Sequence, residues 1–220
     1  MTRSRRFDLI AFDWDGTLFD STALIARCIQ AACRDVGVAV PSDADAAYVI
    51  GLGLTDALRH AAPGLDASRY PELGARYRHH YFARQHEVSL FPGTLEMLTE
   101  LKARNHWLAV ATGKSRRGLD EALAHSQLAG LFNATRTADQ TASKPNPQML
   151  LELMREFGAE PGRTLMVGDT THDLQLARNA GAASVGVAYG AHDAEAFDEF
   201  GPLFVAPDTR ALHAWLLAHG

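Results

Sequence analysis

At 220 residues the chain is long enough for one well-buried domain, or one domain carrying a sizeable insertion. Its 47% hydrophobic and 21% charged residues are ordinary for a soluble globular protein, and a formal charge of −5 argues against a general nucleic-acid footprint. The N-terminal MTRSRR is basic, but the apolar run after it breaks at Asp8 and Asp13, too short for a signal-peptide core or a membrane span. Neither nucleic acid nor membrane is therefore expected as a partner.

FDLIAF (7–12) suits a strand, and it runs directly into Asp13-Trp14-Asp15-Gly16. From residue 21 to about 90 the periodicity is helical. STALIARCIQAACRDVG is amphipathic, LTDALRHAA is short, and SRYPELGARYRHHYFARQH carries Pro71 as a candidate break. Cys28 and Cys33 lie five apart with no CxxC spacing, which reads as a reduced, packed pair in a cytoplasmic protein. Beyond Pro92 the pattern alternates. Helical PGTLEMLTELKARN, SRRGLDEALAHSQL, NPQMLLELMREFG and THDLQLARNAG are interleaved with the strand-like HWLAVAT, NATRTA, RTLMVGD and ASVGVAYG. DTRALHAWLLAHG closes the chain as a helix. The simplest topology is an α/β fold: a Rossmann-like parallel sheet with helices on both faces and an all-helical insertion after the first strand. The core takes 1–18 and 91–220, and the insertion takes 19–90.

In open parallel sheets, ligands bind beyond the carboxyl ends of the strands. The first strand ends in Asp13 and Asp15, the second in Thr112-Gly113, and the MVGD strand in Asp169, with Asp173 one helical turn later. SKPNP places Lys144 just ahead of a helix. Four segments thus send polar groups to one edge. The four aspartates would repel one another without a cation, and hard carboxylate oxygens with room for water suit Mg²⁺ better than Zn²⁺. Gly16, itself a candidate substrate contact, lets the chain turn just past Asp15, so that one carboxylate can face phosphorus and the other the leaving oxygen. A carboxylate can attack phosphorus, while its neighbour protonates the departing alkoxide and later deprotonates water. Thr112 offers a hydroxyl, and Gly113 a backbone N–H at a helix entrance, to the phosphoryl oxygens.

DWDGTLFDS, VATGKS, SKPNP and VGDTTHD, in that order, resemble the four motifs of the haloacid dehalogenase-like hydrolase superfamily. The resemblance spans essentially the whole chain, and the helical insertion is similar to that family's small helical cap. It implies a nucleophile at Asp13, forming an aspartyl-phosphate, a general acid/base at Asp15, and phosphoryl contacts from Thr112 and Lys144. It also implies Mg²⁺ held by Asp13, the Asp15 main-chain carbonyl and Asp169, with Asp173 in support through water or Lys144. Asp15 speaks against dehalogenation, because a departing halide needs no proton. The chain is most similar to phosphoglycolate phosphatase-like members, so a small phosphorylated metabolite is the implied substrate. The same residues serve a phosphomutase of the beta-phosphoglucomutase type. A non-catalytic binding module, by contrast, would be expected to have lost one of Asp13, Asp15, Lys144 or Asp169. Oligomeric state is not legible in the pattern.

Other strings carry less. GKS at 113–115 matches a P-loop only in part, since the required glycine is Leu108. DWDG places its glycine two positions early for a calcium loop. His79, His80 and His86 lack HExxH spacing and read as surface or packing residues. GLGLTD (51–56) lacks the third glycine of a dinucleotide fingerprint, but as a turn between insertion helices it is expected to face the carboxylates.

Overall fold

The computed structural model describes residues 6–220, so that apart from Arg6 the basic start of the chain lies outside them. The first strand, β1 (Leu9–Phe12), is followed by the two-residue β2 (Phe19–Asp20). Four helices come next: α1 (Thr22–Val36), α2 (Asp43–Tyr48), α3 (Leu54–Ala61) and α4 (Tyr70–Arg84). β3 (Ser89–Leu90) then pairs antiparallel with β2, Phe19 opposite Leu90 and Asp20 opposite Ser89. The two connections to the insertion are therefore a hydrogen-bonded ribbon, where the sequence pattern shows only helices and links. Pro71 does not break α4. It sits in the first helical turn, where its missing N–H has no helical partner to lose. The insertion has its own core, in which Ile25, Ile29 and Cys33 of α1 meet Leu58 and Leu73. Both cysteines are free and buried.

The remainder alternates helix and strand: α5 (Thr94–Ala103), β4 (Trp107–Thr112), α6 (Arg116–His125), β5 (Ala134–Thr137), α7 (Gln148–Phe157), β6 (Thr164–Gly168), α8 (Thr171–Asn179), β7 (Ala183–Val187), β8 (Val205–Ala206) and α9 (Thr209–His219). Six strands form one parallel sheet in the order β5-β4-β1-β6-β7-β8. Ala11 at its centre lies opposite Ala109 on one side and Met166 on the other. Side chains alternate along each strand. Ile10, Phe12, Leu108 and Val110 therefore face α5 and α9, meeting Leu98, Leu101, Leu212 and Leu216. Leu9, Ala11, Ala109 and Ala111 face α7 and α8, and the small alanines leave room for Met149, Leu153 and Leu176. Burying one such leucine is worth about 1.5–3 kcal/mol, so two full faces fix the sheet and with it the positions of its strand ends. No helix among the described residues is long and apolar enough to cross a membrane.

Candidate active site

The site grows from the carboxyl ends of β1 and β6, which are neighbours in the sheet. Asp13 follows β1, anchored by its N–H to the Val167 carbonyl at 2.9 Å. Gly16 takes φ +78°, and a Cβ there would lie 2.0 Å from Asp169 Oδ2, so this turn closes only around glycine. Its N–H is donated to the Phe19 carbonyl at 2.8 Å. Gly16 thus serves the turn and the approach of Asp169, and its N–H is not free for the substrate contact expected of it. Asp169 accepts from the Thr17 hydroxyl and from the Ala191 N–H, each at 2.8 Å. Thr170, not Asp169, caps α8. Its hydroxyl and N–H engage Asp173 Oδ2 at 2.6 and 3.1 Å in a reciprocal capping box.

Lys144 Nζ sits 2.7 Å from both Asp13 Oδ1 and Asp173 Oδ1, with none of its side chain exposed. Burial alone would discharge this ammonium, but the two carboxylates outweigh it and hold its pKa above the ordinary lysine value. Burial pushes the Asp13 carboxyl up to about 7, Lys144 opposing and Asp173 and Asp15 adding. Asp169 is likewise held well above the usual carboxylate range, by burial first and then by Asp13 and Asp173. Asp13, Asp169 and Asp173 present carboxylate oxygens within 4.8 Å of one another. Asp13 Oδ2 is buried with no hydrogen-bond donor among the described residues.

Asp15 marks the other end of the site. Its Oδ1 accepts from the Ser21 hydroxyl at 2.7 Å and its Oδ2 pairs with Lys114 Nζ at 3.0 Å. Lys114 also donates to the Tyr81 hydroxyl of α4 at 3.1 Å, across the boundary between the sheet domain and the insertion. Four carboxylates thus face two ammonium groups, leaving an excess of two negative charges when all are ionised. That is the charge of one divalent cation, and a buried acceptor without a donor is the place for one.

Beside Asp15 opens a cavity of about 460 Å³, lined by Lys114, by Tyr77 and Tyr81 of α4, and by the turn before α3. This turn carries Gly51 and Gly53 of GLGLTD, whose last three residues open α3, and together with the end of α2 it seats on the sheet domain at several points. The Tyr48 carbonyl accepts from His172 Nε2 and His192 Nε2, each at 2.9 Å. Burial lowers the pKa of both histidines, which favours their neutral, singly protonated rings. Gly53 N–H donates to Ser143 Oγ at 2.8 Å. A Cβ on Gly113 would lie 2.4 Å from the Leu52 carbonyl oxygen, so this glycine admits the insertion's backbone. It does not stand at a helix entrance, as expected from the sequence: Ser115 caps α6 and the helix begins at Arg116. Thr112, buried beside it, accepts from the Lys114 N–H at 3.2 Å.

Asp13, Asp15, Thr112, Gly113, Lys144, Asp169 and Asp173 all converge at this edge. Sequence reasoning misses Thr17, Ser21, Tyr81 and above all Lys114. A signal for Lys114 is present, since it follows a strand-end glycine at the same sheet edge, but GKS read on its own suggests only a P-loop fragment. Of the three histidines set aside, His79 and His86 are exposed, and His80 pairs with Asp35 at 2.8 Å.

The chain is similar to known proteins over nearly its whole length. A phosphoglycolate phosphatase of Aliivibrio fischeri is 33% identical over 94% of this chain and 96% of its own length. The pyrophosphatase PpaX of Oceanobacillus iheyensis is 28% identical over 91% and 92%. The crystal structure of a "predicted phosphoglycolate phosphatase" from Haemophilus somnus superposes with a TM-score of 0.84 at 27% identity, covering 98% of this chain and 99% of that one. Residues 10–187, running from β1 through the insertion to the end of β7, match the model of the haloacid dehalogenase-like hydrolases. A match over most of the chain, with relatives named phosphatases along nearly its whole length, shows that the chain belongs to the haloacid dehalogenase-like hydrolases and is a phosphatase among them.

Proposed function

We propose that this phosphatase hydrolyses a short phosphate monoester, 2-phosphoglycolate by preference, through a phosphoryl group carried on Asp13 and with Mg²⁺ as cofactor. The observation that carries the reading is Asp13 Oδ2, a buried carboxylate oxygen with no donor among the described residues, beside a lysine that holds the other oxygen of the same group. Asp13, the Asp15 main-chain carbonyl and Asp169 would hold the metal, which when bound neutralises charge on the phosphoryl oxygens. Asp13 attacks phosphorus. Asp15, oriented by Ser21, gives a proton to the departing alkoxide and then takes one from the water that resolves the intermediate. Lys144, fixed by Asp173, offsets negative charge, and the Thr112 hydroxyl and Gly113 N–H face the phosphoryl oxygens. Residues 19–90 act as a cap over a core of 1–18 and 91–220, its ribbon and seated turn allowing closure that excludes bulk water.

The Aliivibrio and Oceanobacillus relatives are named for phosphoglycolate and pyrophosphate. In both compounds the group that leaves phosphorus carries its own negative charge, and the Lys114 ammonium beside Asp15 is suited to such a group. The test is phosphate release with Mg²⁺ from 2-phosphoglycolate, pyrophosphate, sugar phosphates, nucleoside monophosphates and phosphopeptides. The highest kcat/KM is expected for 2-phosphoglycolate, without a bisphosphate activator. A preference for phosphopeptides overturns the small-substrate reading, and activator-dependent phosphoryl transfer to a sugar in place of hydrolysis overturns the phosphatase in favour of a mutase.

A further inference from the structure

We propose that Lys114 is the specificity-determining residue of this site: it binds an anionic group on the leaving part of the substrate, selecting short esters that end in a carboxylate over neutral esters of the same size. The inference rests on the phosphatase reading above and deepens it.

An ammonium carries three N–H donors. Asp15 Oδ2 takes one at 3.0 Å and the Tyr81 hydroxyl a second at 3.1 Å, and no acceptor for the third lies among the described residues. The side chain is 11% exposed, and it lines the cavity beside Asp15. The cavity's other cations differ. Arg78 and Arg117 are exposed, and Arg117 is already paired with Glu121 at 2.9 Å. Much of the opposing wall is apolar, with Ile25, Ile29, Val49, Ile50 and Leu54. Those side chains offer no hydrogen bonds to sugar hydroxyls, and among the described lining residues Lys114 is the one cation that is largely buried.

The position of Lys114 also sets the length of the ligand. Asp15 is placed to protonate the leaving oxygen, and Lys114 touches Asp15. A group bound to Lys114 at an ordinary hydrogen-bond distance of about 3 Å is then separated from that oxygen by a short linker, about one or two carbons. A two-carbon phosphorylated acid satisfies both contacts, while a longer chain must fold back or leave one of them. Because Tyr81 belongs to α4, the ammonium lies where the cap meets the core, so an anion bound there contacts the same group that ties the two together.

A merely structural Lys114, holding Asp15 in place, would slow 2-phosphoglycolate and ethyl phosphate alike, since both leave as alkoxides that need a proton, and would slow pyrophosphate less. Recognition predicts a change in the ratio of 2-phosphoglycolate to ethyl phosphate. In the Mg²⁺-loaded enzyme, kcat/KM is measured for 2-phosphoglycolate, pyrophosphate and ethyl phosphate, in wild type, Lys114→Met and Lys114→Arg. Wild type is expected to favour both anionic substrates over ethyl phosphate. Lys114→Met should cut that preference roughly ten- to a hundredfold, the loss of one charge-assisted hydrogen bond, and mainly through KM. Lys114→Arg should keep part of it. Preference for 2-phosphoglycolate alone narrows the anionic group to a carboxylate, and preference for pyrophosphate alone overturns the carboxylate assignment. An unchanged ratio in Lys114→Met overturns the proposal while leaving the phosphatase reading intact, and phosphate release from none of the three by wild type overturns both. A second arm needs no variant: glycolate should inhibit wild type, and glycolamide, of equal size but neutral, should not. Equal inhibition by the two contradicts anion recognition.

Discussion

The two ends of the site are built differently. At the phosphoryl end, Asp13, Lys144, Asp169 and Asp173 are almost wholly buried: Asp13 and Asp169 stand at strand ends, Asp173 in the first turn of α8, and Lys144, in the loop before α7, pairs with Asp13 and Asp173 at 2.7 Å. At the leaving-group end, Asp15 and Lys114 keep some exposure, and the walls come from the helices of the insertion and the turn before α3. On the function proposed above, what every phosphate ester has in common is met by groups fixed at the sheet's edge. What distinguishes one ester from another is met by an element that can be reshaped without disturbing the sheet.

If this division is right, changes at the two ends differ in kind as well as in size. Asp13→Asn should leave a folded protein with kcat reduced about 10⁴-fold or more for every substrate, because an amide neither attacks phosphorus nor holds a metal well. A tenth of wild-type activity in the folded variant would remove Asp13 from the nucleophile role. Asp15→Asn, at the junction of the two ends, should discriminate. Phosphorylation by alkyl phosphates should slow about 10²- to 10⁴-fold, while aryl phosphates, whose leaving oxygen hardly needs a proton, lose far less in burst kinetics. Identical losses in the burst phase would rule out Asp15 as the acid.

The metal should report on the phosphoryl end alone. The Asp13 carboxyl is raised from 3.8 to about 7 in the folded protein. A raised carboxyl contributes stability while it is protonated, below its unfolded value, and that contribution disappears as pH rises through 7. Below pH 7, Mg²⁺ must displace the proton; above it, the carboxylate is open to the cation. Mg²⁺ added at about 100 times its Kd at pH 8 should stabilise by about 2.7 kcal/mol there, and the same concentration should raise Tm less at pH 6. A larger rise at pH 6 would contradict the assignment. The smallest effect belongs to the seated turn. Ser143→Ala removes the hydrogen bond to Gly53 N–H, an interaction worth about 0.5–1.5 kcal/mol, and should raise KM a few-fold with kcat for a small aryl phosphate little changed. A loss confined to kcat would show that the turn acts on chemistry and not on closure.

The same division explains what can be read from the sequence. The sheet domain is legible because its strands are apolar runs bounded by helices of clear period, and because Asp13, Thr112 and Asp169 fall directly at the ends of such runs. α2 escapes notice because DADAAY is only six residues with a single buried position, Ala46. β2, β3 and β8 escape it because two-residue strands leave no alternation to detect. Gly16 and Gly113 are visible as turn residues. Their crowding against Asp169 and Leu52 depends on atoms 153 and 61 positions distant in the chain, and no local pattern records it. Lys114 is hidden for a related reason. Its partner Asp15 is 99 positions away, and only the adjacency of β1 and β4 brings them together.

The central claim, that the phosphoryl group passes through Asp13 before reaching water, has a direct stereochemical test. A phosphorothioate analogue of the substrate, made chiral at phosphorus with oxygen isotopes, is hydrolysed in water carrying the third isotope, and the configuration of the released thiophosphate is determined. Each in-line displacement inverts phosphorus, so transfer to Asp13 followed by transfer to water predicts net retention. Net inversion would mean that water attacks the substrate directly and that Asp13 is not the nucleophile.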